Sequence, residues 1–169
     1  MVKGGGQPVN VPSELNGRIQ RSVTLHMQSI VRVAYTYVQS IQDAEDIAQD
    51  TFLSYLQSEK VFESGEHEKA WLLRVCINKC KNQLKSGWQK SRNPLPEGLS
   101  VLPPEESAVL TAVLQLEEKY RIPIHLYYYE GYSLREIAQV LRLPSATIGT
   151  RLSRAKAQLK QQLGGDFDA

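Results

Sequence analysis

Residues 132–155 have the sequence YSLREIAQVLRLPSATIGTRLSRA, which predicts two short helices joined by a tight turn. Ser133 followed by Glu136 has the spacing of a capping box at the start of the first helix. Leu143-Pro144 ends that helix, because proline disfavours helical geometry in the residue before it. Ser145 is then expected to cap the second helix. This is the arrangement of a helix-turn-helix.

The second of these helices has two separate faces. Apolar residues recur at helical spacing and are expected to be buried: Ile148, Leu152, Ala155 and Leu159. Hydroxyl and guanidinium groups recur on another side: Thr147, Thr150, Arg151 and Arg154. Such groups suit contacts with phosphates and base edges, so this face favours a DNA-reading helix. The alternative is the solvated face of an ordinary helical hairpin.

The rest of the chain has helical periodicity and no convincing strand pattern, so the fold class is all-α. We expect two small helical bundle domains joined by a flexible linker, the C-terminal one a helix-turn-helix. The expected divisions are a disordered extension at 1–14, a first domain at 15–92, a linker at 93–104, a second domain at 105–163 and a tail at 164–169. Within them, Asp43 is expected to cap the second helix, and a polar loop at 58–68 to precede the third.

Charge is distributed unevenly, although the formal net charge is only +2. Residues 43–68 contain eight acidic residues and one lysine, residues 71–92 contain six basic residues and no acid, and residues 133–163 contain six basic residues and one acid. One acidic and two basic surfaces indicate at least two kinds of partner.

Other classes of function find little support in the sequence. No run is apolar and long enough to span a bilayer, and no signal peptide is recognisable, so a cytoplasmic protein without membrane insertion is expected. Cys76 and Cys80 are expected to be free and buried, since no further ligand stands at metal-binding spacing. No metal, no cofactor and no catalytic residues are predicted, because paired acids without a pocket do not make an enzyme.

Two faces outside the helix-turn-helix stand out. The helix after Asp43 has an outward acidic set with an exposed leucine, Asp46, Gln49, Asp50 and Leu53, which indicates a docking site for a basic helix. The alternative is a solvated acidic face. The next helix places amides among cations, which suits unpaired bases: Arg74, Asn78, Lys81, Asn82 and Lys85. The loop before it, Phe62 to His67, has small and polar groups that could line a pocket for a flipped base.

The order of the motifs resembles one family. DAEDIAQDTF (43–52), KAWLLRVCIN (69–78), LEEKYR (116–121), LYYYEGYS (126–133) and TIGTRLSRA (147–155) together resemble the extracytoplasmic-function sigma factors of the bacterial sigma-70 family. The resemblance implies an alternative sigma factor that binds core RNA polymerase, through the β′ clamp and the β flap, and promoter DNA. It also implies a sequestering anti-sigma factor.

The resemblance assigns expected roles to the faces described above. The acidic set would hold the clamp. The −10 element and its unpaired strand would be engaged by Phe62, Ser64, His67, Arg74, Asn78, Lys81, Asn82 and Lys85. The −35 element would be read by Arg135, Arg142, Ser145, Thr147, Thr150, Arg151 and Arg154. Three residues depart from the family pattern: Glu117, Pro123 and Gly149. The alternatives are a stand-alone helix-turn-helix regulator that binds a palindrome as a dimer, and a small helical enzyme acting on nucleic acid.

Overall fold

The computed structural model describes residues 13–86 and 104–164, which form seven α-helices and no strand. The helices are α1 (Ser13–Val38), α2 (Ile41–Ser58), α3 (Gly65–Lys85), α4 (Pro104–Gln115), α5 (Glu118–Tyr128), α6 (Leu134–Leu141) and α7 (Ser145–Leu163). The all-α prediction is therefore correct. The predicted extension at 1–14, linker at 93–104 and tail at 164–169 lie almost wholly outside the described residues.

The first three helices pack against one another around an aliphatic and aromatic core. Ile30, Tyr37, Tyr55, Leu72 and Ile77 are almost fully buried. Cys76 and Cys80 are free and buried, as predicted, and the hydrogen bond to Cys76 together with burial raises the pKa of the Cys80 thiol. This core fixes the orientation of α2 and α3, so their outward faces are set by helical periodicity.

The starts of α2 and α3 differ from the prediction. Ser40, rather than Asp43, is the N-cap of α2, and its hydroxyl accepts a hydrogen bond from the Asp43 backbone N–H. Ile41 begins α2 and is 39% exposed. The third helix begins at Gly65, inside the predicted loop, because Ser64 has extended backbone and caps it.

The four C-terminal helices pack around Leu126, Ile137, Ile148 and Leu159, and their core is continuous with that of the first three helices. The capping box at the start of α6 is confirmed: the Ser133 hydroxyl accepts from the Glu136 backbone N–H, and the Glu136 carboxylate accepts from the Ser133 backbone N–H. These bonds fix where the first helix of the helix-turn-helix begins.

The turn and the start of α7 are built differently from the prediction. Pro144 has the N-cap position and makes no side-chain hydrogen bond, whereas Ser145 is the first helical residue. The prediction that Ser145 caps α7 is therefore wrong. Arg142 ends α6 in the left-handed region at φ 55°, a position where glycine is common.

Pro123 lies inside α5, which begins at Glu118, so the proline does not delay the start of that helix. Arg121, on the same helix, is buried, and its Nη1 donates to the carbonyl oxygens of Leu116, at 3.1 Å, and Leu114, at 3.4 Å. Burial lowers the pKa of Arg121. The guanidinium thus satisfies carbonyl groups at and just after the end of α4.

Candidate polymerase and nucleic-acid interfaces

The acidic face of α2 is open to solvent. Asp46, Gln49 and Asp50 are exposed, and Leu53 beside them is 52% exposed. Their spacing places all four on one side of the helix, opposite the buried Ala44, Ile47, Ala48 and Phe52. An exposed leucine among carboxylates offers apolar contact area together with negative charge. The face therefore has the composition of a docking surface for a basic partner.

The basic face of α3 lies on the side of that helix away from the first core. Asn78, Asn82 and Lys85 are exposed, whereas Arg74 and Lys81 are half-buried. The Arg74 Nε atom is buried and makes no hydrogen bond among the described residues. Amides thus lie among cations on this face, as the sequence predicted. Two of the cations, Arg74 and Lys81, also line cavities shared with the C-terminal helices α5–α7.

The loop before α3 is held by an aromatic cluster. The rings of Tyr55, Phe62 and Trp71 lie 5.5–5.8 Å apart in tilted contacts, and the Lys60 ammonium lies 5.7 Å from the Trp71 ring centroid. Phe62 is therefore partly buried against its own domain. The Ser64 hydroxyl accepts a hydrogen bond from the His67 backbone N–H and so caps α3. Ser64 is nevertheless exposed to solvent.

The outward face of α7 is polar and largely accessible. Ser145, Thr150 and Arg154 are exposed, and Thr147 and Arg151 are half-buried. Arg135 and Arg142, from the first helix of the motif and its turn, are also exposed. The Thr150 hydroxyl donates to the Ala146 carbonyl, 3.0 Å away, so it has a partner within the helix. Cations and hydroxyls thus border one side of the motif.

The two halves of the molecule, α1–α3 and α4–α7, are in contact. Their contact brings together residues expected to bind different DNA elements. His67 and Arg74 line a cleft of about 370 Å³ together with Tyr132, Glu136 and Gln139 of the second half. A small cavity of about 50 Å³ is lined by Lys81 and Arg151, among others. At the same contact, the Gln39 side chain donates to the Leu114 carbonyl at 2.9 Å.

A buried carboxylate lies at the centre of this contact. The Glu130 side chain is 2% exposed, and its Oε1 lies 3.4 Å from both Arg32 Nε and His125 Nε2. Its Oε2 accepts from the Ser29 hydroxyl and lies 3.6 Å from Lys69 Nζ. Burial acts to raise the pKa of Glu130, but its hydrogen-bonding and cationic neighbours outweigh burial and lower the pKa to about 2.

Sequence reasoning missed this cluster. Ser29 and Arg32 stand 101 and 98 residues from Glu130, so no periodicity relates them. The only local signal was Glu130 itself, a charged residue next to Gly131 at a helix end, and such residues are usually solvated.

Within residues 13–86 and 104–164, no helix is long and apolar enough to cross a membrane.

Two family models match the chain in succession. Sigma-70 region 2 matches residues 23–90, and sigma-70 region 4 matches residues 106–159. The first match contains the acidic face of α2 and the basic face of α3, and the second contains the helix-turn-helix.

Curated relatives support the same family. The chain is 26% identical over 161 residues to the ECF RNA polymerase sigma factor SigW of Bacillus subtilis, with 83% of this chain and 86% of that protein covered. It is 25% identical over 164 residues to the RNA polymerase sigma-H factor of Pseudomonas aeruginosa, with 83% of each chain covered.

Solved structures share the fold. The sigma factor RpoE of Bartonella quintana, solved with the anti-sigma factor NepR, matches with a TM-score of 0.75 and 23% identity, over 88% of this chain and 98% of that one. CnrH, solved with the cytosolic domain of CnrY, matches with a TM-score of 0.65 and 24% identity, over 89% and 90%. With both regions present in order and curated relatives that are ECF sigma factors, the chain belongs to the extracytoplasmic-function sigma factors of the sigma-70 family, alternative sigma factors that direct transcription initiation.

Proposed function

We propose that this sigma factor docks on core RNA polymerase through the acidic face of α2. Asp46 and Asp50 would pair with a basic helix of the β′ clamp, and Leu53 would provide the apolar centre of the contact. The observation that carries this proposal is the exposure of Leu53 on the same side of α2 as the exposed Asp46 and Asp50, opposite a fully packed side. A second contact, with the β flap, would come from the helix-turn-helix domain.

The basic face of α3 would engage the −10 element. Asn78 and Asn82 present exposed amide side chains to unpaired bases, and Lys85 and Arg74 supply charge for the strand backbone. Phe62, Ser64, His67 and Lys81 border the same surface. Stacking and hydrogen bonding to bases that have left the duplex offset part of the cost of melting.

The outward face of α7 would read the −35 element in the major groove. Thr147, Arg151 and Arg154 would contact base edges, whereas Arg135, Arg142, Ser145 and Thr150 would fix the position of the helix on the phosphates. Neither DNA contact needs to be tight by itself, because both are joined on one polymerase and act at high effective concentration.

The protein would act in the cytoplasm, where the polymerase and the promoters are, and by binding, without catalysis of its own. An anti-sigma factor is a further expected partner. Both RpoE and CnrH, which share this fold, were solved in complex with other proteins, NepR and the cytosolic domain of CnrY. The exposed acidic face is a suitable target for such a partner, since it is also the proposed polymerase contact.

Core binding is tested with purified core polymerase and labelled variants. Asp46→Asn with Asp50→Asn should weaken binding by about tenfold, as charged contacts near the centre of an interface do. Glu45→Gln is the matched control, because Glu45 is an exposed acid of α2 outside the face. Equal affinity of the double variant and the control would refute the docking proposal.

The DNA contacts are tested by transcription at mapped promoters with core polymerase. Asn78→Ala with Asn82→Ala should abolish permanganate-reactive melting at −10 while core binding stays unchanged. Arg151→Ala should relax the preference at one −35 position, whereas Arg142→Ala should weaken all sequences alike. Tight binding of the free protein to a palindromic duplex, with no transcripts from core polymerase, would instead favour a stand-alone regulator.

A further inference from the structure

Three donors from the first half of the molecule surround the Glu130 carboxylate. Ser29 and Arg32 belong to α1 and Lys69 belongs to α3, and all three approach a side chain that follows α5. Lys69 Nζ also lies 5.3 Å from the Tyr132 ring centroid, which strengthens the same contact. A hydroxyl, a guanidinium and an ammonium that converge on one carboxylate form an anion site, and here a residue of the same chain occupies it.

The Glu130 carboxylate is stabilised both when the two halves are in contact and when they are separated. When the halves are in contact, the three donors and His125 replace the water that burial removes. When the halves separate, Glu130, Arg32 and Lys69 all return to solvent, where each is well hydrated. These charges are thus satisfied in both situations, so the contact can open and close reversibly.

Closure also limits access to the nucleic-acid faces. His67 and Arg74 lie in the cleft beside Tyr132 and Glu136, and Lys81 shares a small cavity with Arg151. Arg74 and Lys81 belong to the proposed −10 face and Arg151 to the proposed −35 face, and the two faces would have to reach separate promoter elements at the same time. The closed arrangement therefore opposes simultaneous use of both faces, a consequence that rests on the proposed function.

We propose that Glu130 holds the two halves closed by occupying an anion site made of Ser29, Arg32 and Lys69, and that this site takes a backbone phosphate of promoter DNA once Glu130 leaves it. A phosphate presents the same acceptor oxygens as the carboxylate, with at least equal charge. Promoter DNA thus competes with Glu130 for the same cations. The site lies at the N-terminal part of α3 and in the C-terminal half of α1, next to the −10 face, so a strand on that face would pass close to it.

Opening is measured without DNA or polymerase, by small-angle X-ray scattering of the full-length protein. Glu130→Gln removes the charge and keeps the size, and should shift the equilibrium towards the open form by about ten- to hundredfold, the effect of losing hydrogen bonds to a charged group. The radius of gyration should rise. Glu117→Gln is the control, because Glu117 is exposed and pairs with Lys119 inside the second half. Circular dichroism establishes that each variant is folded.

The half-exposed Arg32 gives a second route to the same result. Arg32→Gln should also raise the radius of gyration, and it is unlike Glu130→Gln in leaving no buried side chain altered. If folded Glu130→Gln and Arg32→Gln proteins both keep the wild-type radius of gyration, the proposed closing role of Glu130 is overturned.

The phosphate role is measured with a fluorescent single strand that carries the −10 sequence. Glu130→Gln should bind it at least tenfold more tightly than wild type, because the site is vacated. Adding Arg32→Gln and Lys69→Gln to Glu130→Gln should remove that gain and reduce the salt dependence of log Kd by about 1 to 2, as expected for two lost phosphate contacts. Unchanged affinity and salt dependence in the triple variant would overturn the phosphate role. The two proposals can fail separately. A larger radius of gyration in Glu130→Gln, together with no transcription from core polymerase, would contradict the proposed function but not the closing role of Glu130.

Discussion

Replacing Gly149 by alanine should stabilise the second domain. Gly149 is the fifth residue of α7, within a continuous run of helix. A β-carbon built at this position would lie 3.5 Å from Leu134 Cδ2, which is an ordinary van der Waals distance, and would meet no backbone atom closer than that. The substitution therefore removes the flexibility of glycine without creating a clash.

The magnitude follows from helix propensity. Glycine inside a helix is about 1 kcal/mol less favourable than alanine, because it loses more backbone entropy on folding. The contact of the new methyl group with Leu134 adds a small favourable contribution. We expect Gly149→Ala to raise the free energy of unfolding by about 1 kcal/mol, measured by urea unfolding followed by circular dichroism.

Gly131 provides the matched control. Its φ is +71°, in the left-handed region, and open space surrounds the position where a β-carbon would stand. Gly131→Ala should therefore lower the free energy of unfolding by about 1 kcal/mol through backbone strain alone. Opposite signs for the two substitutions are required by this reasoning. A loss of stability in Gly149→Ala, or a gain in Gly131→Ala, would refute it.

Three further outcomes are expected. Leu72→Ala should lower the free energy of unfolding by about 2–5 kcal/mol, because Leu72 is fully buried in the first core, whereas Leu53→Ala at an exposed site should change it by less than about 0.5 kcal/mol. Ser133→Ala should cost about 1 kcal/mol by removing the cap of α6, and Ser133→Asp should largely restore it. The lowered pKa of Glu130 contributes stability above pH 4.5 that is lost as the pH falls towards 2, up to about 3 kcal/mol, so the difference between wild type and Glu130→Gln in acid titrations of unfolding should shrink over that window.

Local features of the chain were predictable from its sequence. The capping box of Ser133 and Glu136 and the buried stripe of α7 depend on spacings of three and four residues, which a helix converts directly into contacts. The exposed face of α2 follows in the same way, because fixing its buried side fixes the other. Hydrogen bonds and buried faces within one helix can therefore be predicted without knowing the rest of the fold.

Choices between neighbouring residues and contacts between distant ones were not predictable in this way. Ser40 and Asp43 are both good N-caps, and Ser40 has that role because its own backbone is extended, with φ −137° and ψ 122°. The cluster around Glu130 joins α1 and α3 to the residues after α5, and it depends on how the helices of the two halves meet. A single sequence carries no periodic signal for such a contact, and charged residues are ordinarily assigned to the surface.

The aromatic cluster of Tyr55, Phe62 and Trp71 gives the loop before α3 an intrinsic spectroscopic signal. The chain has two tryptophans, and Trp71 is in contact with Phe62 from that loop and lies under the Lys60 ammonium. Indole emission depends on nearby charge and on exposure to water, so a movement of the loop changes the fluorescence of Trp71. With Trp88 replaced by phenylalanine, emission from Trp71 alone would report on the loop in real time, with no added dye.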